Sequence, residues 1–138
     1  MKNKLLILTG PQGSGNHLFA KLFSMSPAVE GWPMAKDEWQ GHHKEPFADC
    51  WEDPSLLKDR PRVKNTSYLT SISCPYVKNQ VAHIPKYYDF ITEAKKYYDV
   101  VILLIGRDKN ILQTQQQRVR GDHTTPRAIT QFKKLYNL

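Results

Sequence analysis

Cysteine is nearly absent from this chain. Cys50 and Cys74 are the only two in 138 residues, which makes neither a disulfide framework nor a metal-binding spacing, so the expectation is a soluble, reduced, cytoplasmic protein with two inert thiols. No apolar run approaches the roughly 20 residues that cross a bilayer. The start, Met1-Lys-Asn-Lys-Leu-Leu-Ile-Leu, has only four apolar residues before Thr9-Gly10, which suits a buried strand and not a signal peptide. No membrane is therefore expected as a partner. Internal repeats, low-complexity tracts and RNA- or DNA-reading motifs are also missing, which makes nucleic acid an unlikely ligand. His42-His43 has no distant companions that would complete a metal site, and no metal is expected.

What is present fits one compact domain spanning residues 1–138, with 40% hydrophobic residues and a net charge of +7. That charge is uneven: residues 1–60 carry 7 Lys and Arg against 8 Asp and Glu, whereas residues 61–138 carry 13 against 5. The second half supplies a positive field suited to a polyanion, of which a nucleotide is the simplest.

The pattern alternates strands and helices. Residues 4–9 form an apolar strand, and Leu18, Phe19, Leu22 and Phe23 give the next segment one apolar stripe at helical spacing, closed by Ser26-Pro27. Residues 29–62 are irregular, with Trp32, Trp39 and Trp51 among prolines and acids, and the tryptophans read as core anchors with an acceptor-pocket lining as the alternative. Ser67–Ser73 reads as a strand ended by Cys74-Pro75. Pro85 opens a helix over 86–97 whose buried side is Tyr87, Phe90, Ile91 and Ala94. The β-branched run Asp99–Ile105 reads as a central parallel strand, followed by helices near 109–119 and 125–136. This order predicts an α/β protein with a small, mainly parallel sheet of three to five strands.

The most informative stretch is Gly10-Pro-Gln-Gly-Ser-Gly-Asn16-His17, directly after the first strand. Glycines here allow positive φ and turn backbone N–H groups inward, while the following helix start adds partial positive charge. The spacing Gly10-x4-Gly15 is that of a P-loop, so the fold expected is a three-layer P-loop nucleotide-binding fold. Where a nucleotide-hydrolysing loop continues with Lys and Ser or Thr, this chain has Asn16 and His17, without the phosphate-pairing ammonium or the magnesium-binding hydroxyl. The anion cradle remains.

This loop resembles the 5′-phosphosulfate-binding loop of sulfotransferases that use 3′-phosphoadenylyl sulfate, which reads Gly-Pro-Gln-Lys-Thr-Gly-Thr-Thr in the heparan-modifying branch. The segment to Ser26-Pro27-Ala28-Val29 is similar to the helix that follows it there. Ile105-Gly106-Arg107-Asp108 resembles the family's 3′-phosphate motif, with Thr114 or Gln115 near the place of its serine. His83-Ile84-Pro85 resembles the His-Leu-Pro in which the His is the general base.

The resemblance implies a 3′-phosphoadenylyl sulfate or adenosine 3′,5′-bisphosphate site and sulfuryl transfer to a hydroxyl acceptor. Gly10, Gln12, Gly13, Ser14, Gly15, Asn16 and His17 would hold the 5′-phosphosulfate, and Arg107 with Thr114 or Gln115 the 3′-phosphate. His83 would be the base, and His17 a donor replacing the loop threonines. Gly13 and Val81 replace the family's two lysines, with Lys78 or Lys86 as candidate substitutes. The acceptor site is left to residues 30–62, a second copy of the chain or a partner protein. Two other classes stay open. One is a nucleotide-kinase-like protein with Arg107, Arg118, Arg120 and Arg127 as a phosphate lid; the other is a catalytically degenerate phosphate- or nucleotide-binding protein.

Overall fold

The computed structural model describes residues 1–31, 47–106 and 125–135, the side chains of 125–127 excepted. The elements run β1 (Asn3–Pro11), α1 (Asn16–Ser24), β2 (Val29–Glu30), two 3-10 segments (Asp49–Trp51 and Pro54–Asp59), β3 (Ser67–Cys74), β4 (Tyr76–Lys78), β5 (Val81–His83), α2 (Tyr87–Tyr97), β6 (Tyr98–Leu104) and α3 (Thr125–Leu135). The protein is α/β. A four-stranded sheet has the order β2-β3-β1-β6, with every pairing parallel, and β4 and β5 form a separate antiparallel hairpin.

The sheet is covered on both faces. Leu5, Ile7, Tyr68, Ile72 and Tyr98 belong to one apolar cluster with Phe90, Ile91 and Ala94 of α2 and Ala128 and Leu135 of α3. Leu8 and Leu69, which point the other way by strand alternation, pack with Ala20 of α1. Trp51 ties the larger cluster together: its ring stacks on Phe90 at 3.8 Å and 6°, and its Nε1 donates to Thr70 Oγ1 at 3.0 Å. It is the core anchor the sequence suggested; Trp32 and Trp39 lie outside the described residues. The segment after it begins at Asp53, whose Oδ1 accepts from the Ser55 N–H at 3.1 Å, with Pro54 in the first position, where its missing N–H costs nothing.

Three expectations are corrected. The stripe Leu18, Phe19, Leu22 and Phe23 does not face the core. These residues are 52%, 38%, 50% and 39% exposed, and α1 instead buries Asn16 and Ala20, whose small side chains let the helix lie close to β3. The run after Asp99 is an edge strand among the described residues, not a central one, with Val101 and Leu104 each 38% exposed. Residues 76–83, which the sequence reading left without structure, form the hairpin. Its two-residue turn places both Asn79 and Gln80 at positive φ, as the twist of a tight hairpin demands, without the usual Gly.

Cys50 and Cys74 are free and fully buried, and burial pushes both thiols up to about 11 from an ordinary value of 9.0. The unfolded chain therefore releases these protons first as pH rises, so stability should fall between about pH 9 and 11. At pH 8 a thiol reagent should label neither cysteine in native protein and both in denaturant. Labelling at equal rates in the two states would show that the thiols are accessible.

Candidate functional site

β1 leads through α1 to β2, two places to one side, whereas β3 leads through α2 to β6 on the other side of β1. The chain thus leaves the carboxyl ends of β1 and β3 in opposite directions and over opposite faces. Such a reversal opens a crevice at the strand ends, the usual ligand position in open parallel sheets. The glycine turn fills that crevice.

Its local geometry follows from its residues. The Ser14 N–H and Oγ both donate to the Pro11 carbonyl, at 3.1 and 2.6 Å, closing a tight turn with Gly13 at φ 81° in its third position. Gly15 has φ 93° and ψ 22°, left-handed, at the N-cap of α1. No side chain caps this helix and its first turn carries no acid, so its positive end is not neutralised locally. Gly10 is needed for a different reason. It lies within β1, and a Cβ there would stand 2.3 Å from the Ile105 carbonyl oxygen.

Among the described residues the buried polar side chains are Thr9, Gln12, Ser14, Asn16, Thr70 and Ser71, all on β1, the turn, the start of α1 or β3. Asn16, at the lysine position of a hydrolysing loop, is only 4% exposed. Its amide nitrogen donates to the Gly10 carbonyl at 3.1 Å and to Ser73 Oγ at 3.3 Å, while its Oδ1 has no partner. The side chain is turned inward to brace the turn, leaving the backbone N–H as its means of meeting a ligand. Below the turn, Thr9 Oγ1 donates to the Ile72 carbonyl at 2.7 Å, which spends its proton, so the Tyr87 hydroxyl donates to Thr9 at 2.6 Å. Burial moves the Tyr87 phenol upward, which keeps it a donor. The sequence reading missed these braces. The available signal was polar residues, Thr9, Ser71 and Ser73, at the ends of otherwise apolar strands.

The structure brings Gly10, Gln12, Gly13, Ser14, Gly15, Asn16 and His17 together as one turn and helix start. Arg107, Thr114 and Gln115 lie outside the described residues, as do Arg118, Arg120, His42, His43 and His123. Ile105 lies beside the turn, its N–H donating to the Thr9 carbonyl at 2.8 Å. His83 is exposed on β5, with its ring stacked on Tyr76 at 5.3 Å and 25°. The hairpin carrying it leaves β3 at the same sheet edge as the turn, which is as near as the connectivity brings it. Lys78 is paired with Glu52, so it is engaged away from the loop. Among the described residues no three His, Cys, Asp or Glu side chains converge as for a metal, and no helix is long and apolar enough to cross a membrane.

Comparison with protein-family models, with curated proteins and with solved structures found no match to this chain.

Proposed function

We propose that the glycine turn binds the phosphosulfate or phosphate of an adenine nucleotide of the 3′-phosphoadenylyl sulfate type, on a three-layer P-loop fold, and that the protein transfers a sulfuryl group to a hydroxyl acceptor. The observation that carries this reading is the turn itself: two left-handed glycines and an uncapped helix start at the strand-order reversal. Asn16 is turned inward where a hydrolysing loop carries its phosphate-pairing lysine, and His17 stands in place of the magnesium-binding hydroxyl, which counts against ATP with magnesium. In this reading residues 10 and 12–17 hold the 5′ group, Arg107 with Thr114 or Gln115 holds the 3′-phosphate, and His83 accepts the proton of the attacking hydroxyl.

A second reading, nucleotide binding without transfer, draws support from His83, whose ring is stacked on Tyr76 and exposed to water. Calorimetric titration decides the shared part. Adenosine 3′,5′-bisphosphate should bind one to one, ATP with magnesium should bind more weakly, and Arg107→Ala should weaken the bisphosphate by about tenfold or more, the effect of losing one charge-assisted contact. No nucleotide binding would refute both readings, and preference for ATP would refute the first.

A further inference from the structure

A cleft of about 380 Å³ opens between the start of α2 and the end of α3, with Lys86, Tyr87 and Tyr88 on one side and Gln131, Lys134 and Leu135 on the other. Two features of it do not serve the fold. Lys86 occupies the N-cap of α2 and makes no capping hydrogen bond, although a helix start is where a cation is disfavoured and a short oxygen-bearing side chain is preferred. Tyr88 is 65% exposed beside Tyr87 at 5%, and among the described residues it makes no ring contact or hydrogen bond. Rules of local stability broken together at one cleft mark a place where something else is recognised.

The charges specify what that is. Lys86 and Lys134 reach the cleft from two helices, and among the described residues neither is in an ion pair. Asp89 is the one carboxylate lining it. Lys134 sits in the last turn of α3, where it offsets that helix's negative end, and Asp89 sits in the first turn of α2, where it offsets the positive one, so Lys86 is the excess charge. An anion placed there would pair with Lys86. The walls are apolar, from Pro85, Leu135 and the two tyrosine rings, and a cavity of ~150 Å³ already accepts benzene. The volume therefore suits one substituted aromatic ring.

We infer that this cleft binds a small aromatic carboxylate, its ring against Tyr88 and its anion at Lys86. The site is separate from the glycine turn but touches the same framework, because Tyr87 both lines the cleft and donates to Thr9, the residue before Gly10. The inference concerns binding alone and stands whether or not the turn takes a nucleotide.

The test uses 4-hydroxybenzoate as probe on the full chain without nucleotide, followed by calorimetry and by amide chemical shifts. Acetate supplies the anion without the ring and 4-hydroxybenzyl alcohol the ring without the anion. Saturable one-to-one binding of 4-hydroxybenzoate is expected, with a dissociation constant on the order of millimolar or tighter for about ten non-hydrogen atoms. Both controls should bind about tenfold or more weakly. Lys86→Gln and Tyr88→Ser, both at exposed positions that leave the core intact, should each weaken the probe about fivefold or more. No saturable binding, equal binding in both variants, or displacement of the probe by adenosine 3′,5′-bisphosphate would each overturn the inference, the last by placing the ring in the nucleotide site.

Discussion

Gly10→Ala is expected to cost about 3 kcal/mol or more of stability and to abolish ligand binding at the turn. The added methyl would lie 2.3 Å from the Ile105 carbonyl oxygen and 2.9 Å from Asn16 Oδ1. The first of these atoms is backbone, held because the Ile105 N–H donates to the Thr9 carbonyl at 2.8 Å, so it cannot rotate away. Relief requires β1 and the end of β6 to separate, which also loosens the Asn16 brace to the Gly10 carbonyl. Chemical denaturation of the variant, with bisphosphate titration where folded protein is recovered, measures both effects. Gly15→Ala is the informative contrast. A Cβ there meets only the Phe19 ring at 3.8 Å, so its cost is conformational, from φ 93°, and should be about 1 kcal/mol. Equal stability losses in the two variants would show that close approach at Gly10 is not the controlling contact.

Trp51→Ala should be the most damaging core substitution, at about 3–5 kcal/mol. A domain of this size has roughly 5–15 kcal/mol in total, so the variant should be largely unfolded under mild denaturant. Trp51 is 3% exposed, stacks on Phe90, meets Tyr87 edge-on at 5.8 Å and donates to Thr70. It joins the 3-10 segment to α2 and to β3. Trp51→Phe keeps a six-membered ring against Phe90 but loses the indole's five-membered ring together with its Nε1 donor, and should recover part of the loss. Midpoints of denaturation for the pair measure how much the ring stacking carries; a Phe variant as unstable as the Ala variant would assign the stability to the rest of the indole and its Nε1 contact.

Much of the architecture was legible in the chain because short apolar runs and helical spacing are local. β1, β3 and β6 follow from the runs around Leu5–Leu8, Tyr68–Ile72 and Val100–Leu104, and α2 buries Tyr87, Phe90, Ile91 and Ala94 as its period requires. The turn was legible for the same reason, since its positions at φ 81° and 93° favour glycine. Which face of α1 meets the sheet was not. Its apolar stripe has the right period, yet the helix approaches through Ala20 and Asn16, a choice made by the space above β3 and β1.

The sequence by itself determined the alternating order of strands and helices and the backbone of the glycine turn, because both depend on residues within a few positions of one another. Only the tertiary structure decided that β1 lies between β3 and β6, that Asn16 reaches Ser73, and that Tyr87 holds Thr9 from 78 residues away. These contacts join side chains that no local spacing connects. They exist because parallel strands bring distant segments to one edge, where their polar ends must find partners once water is excluded.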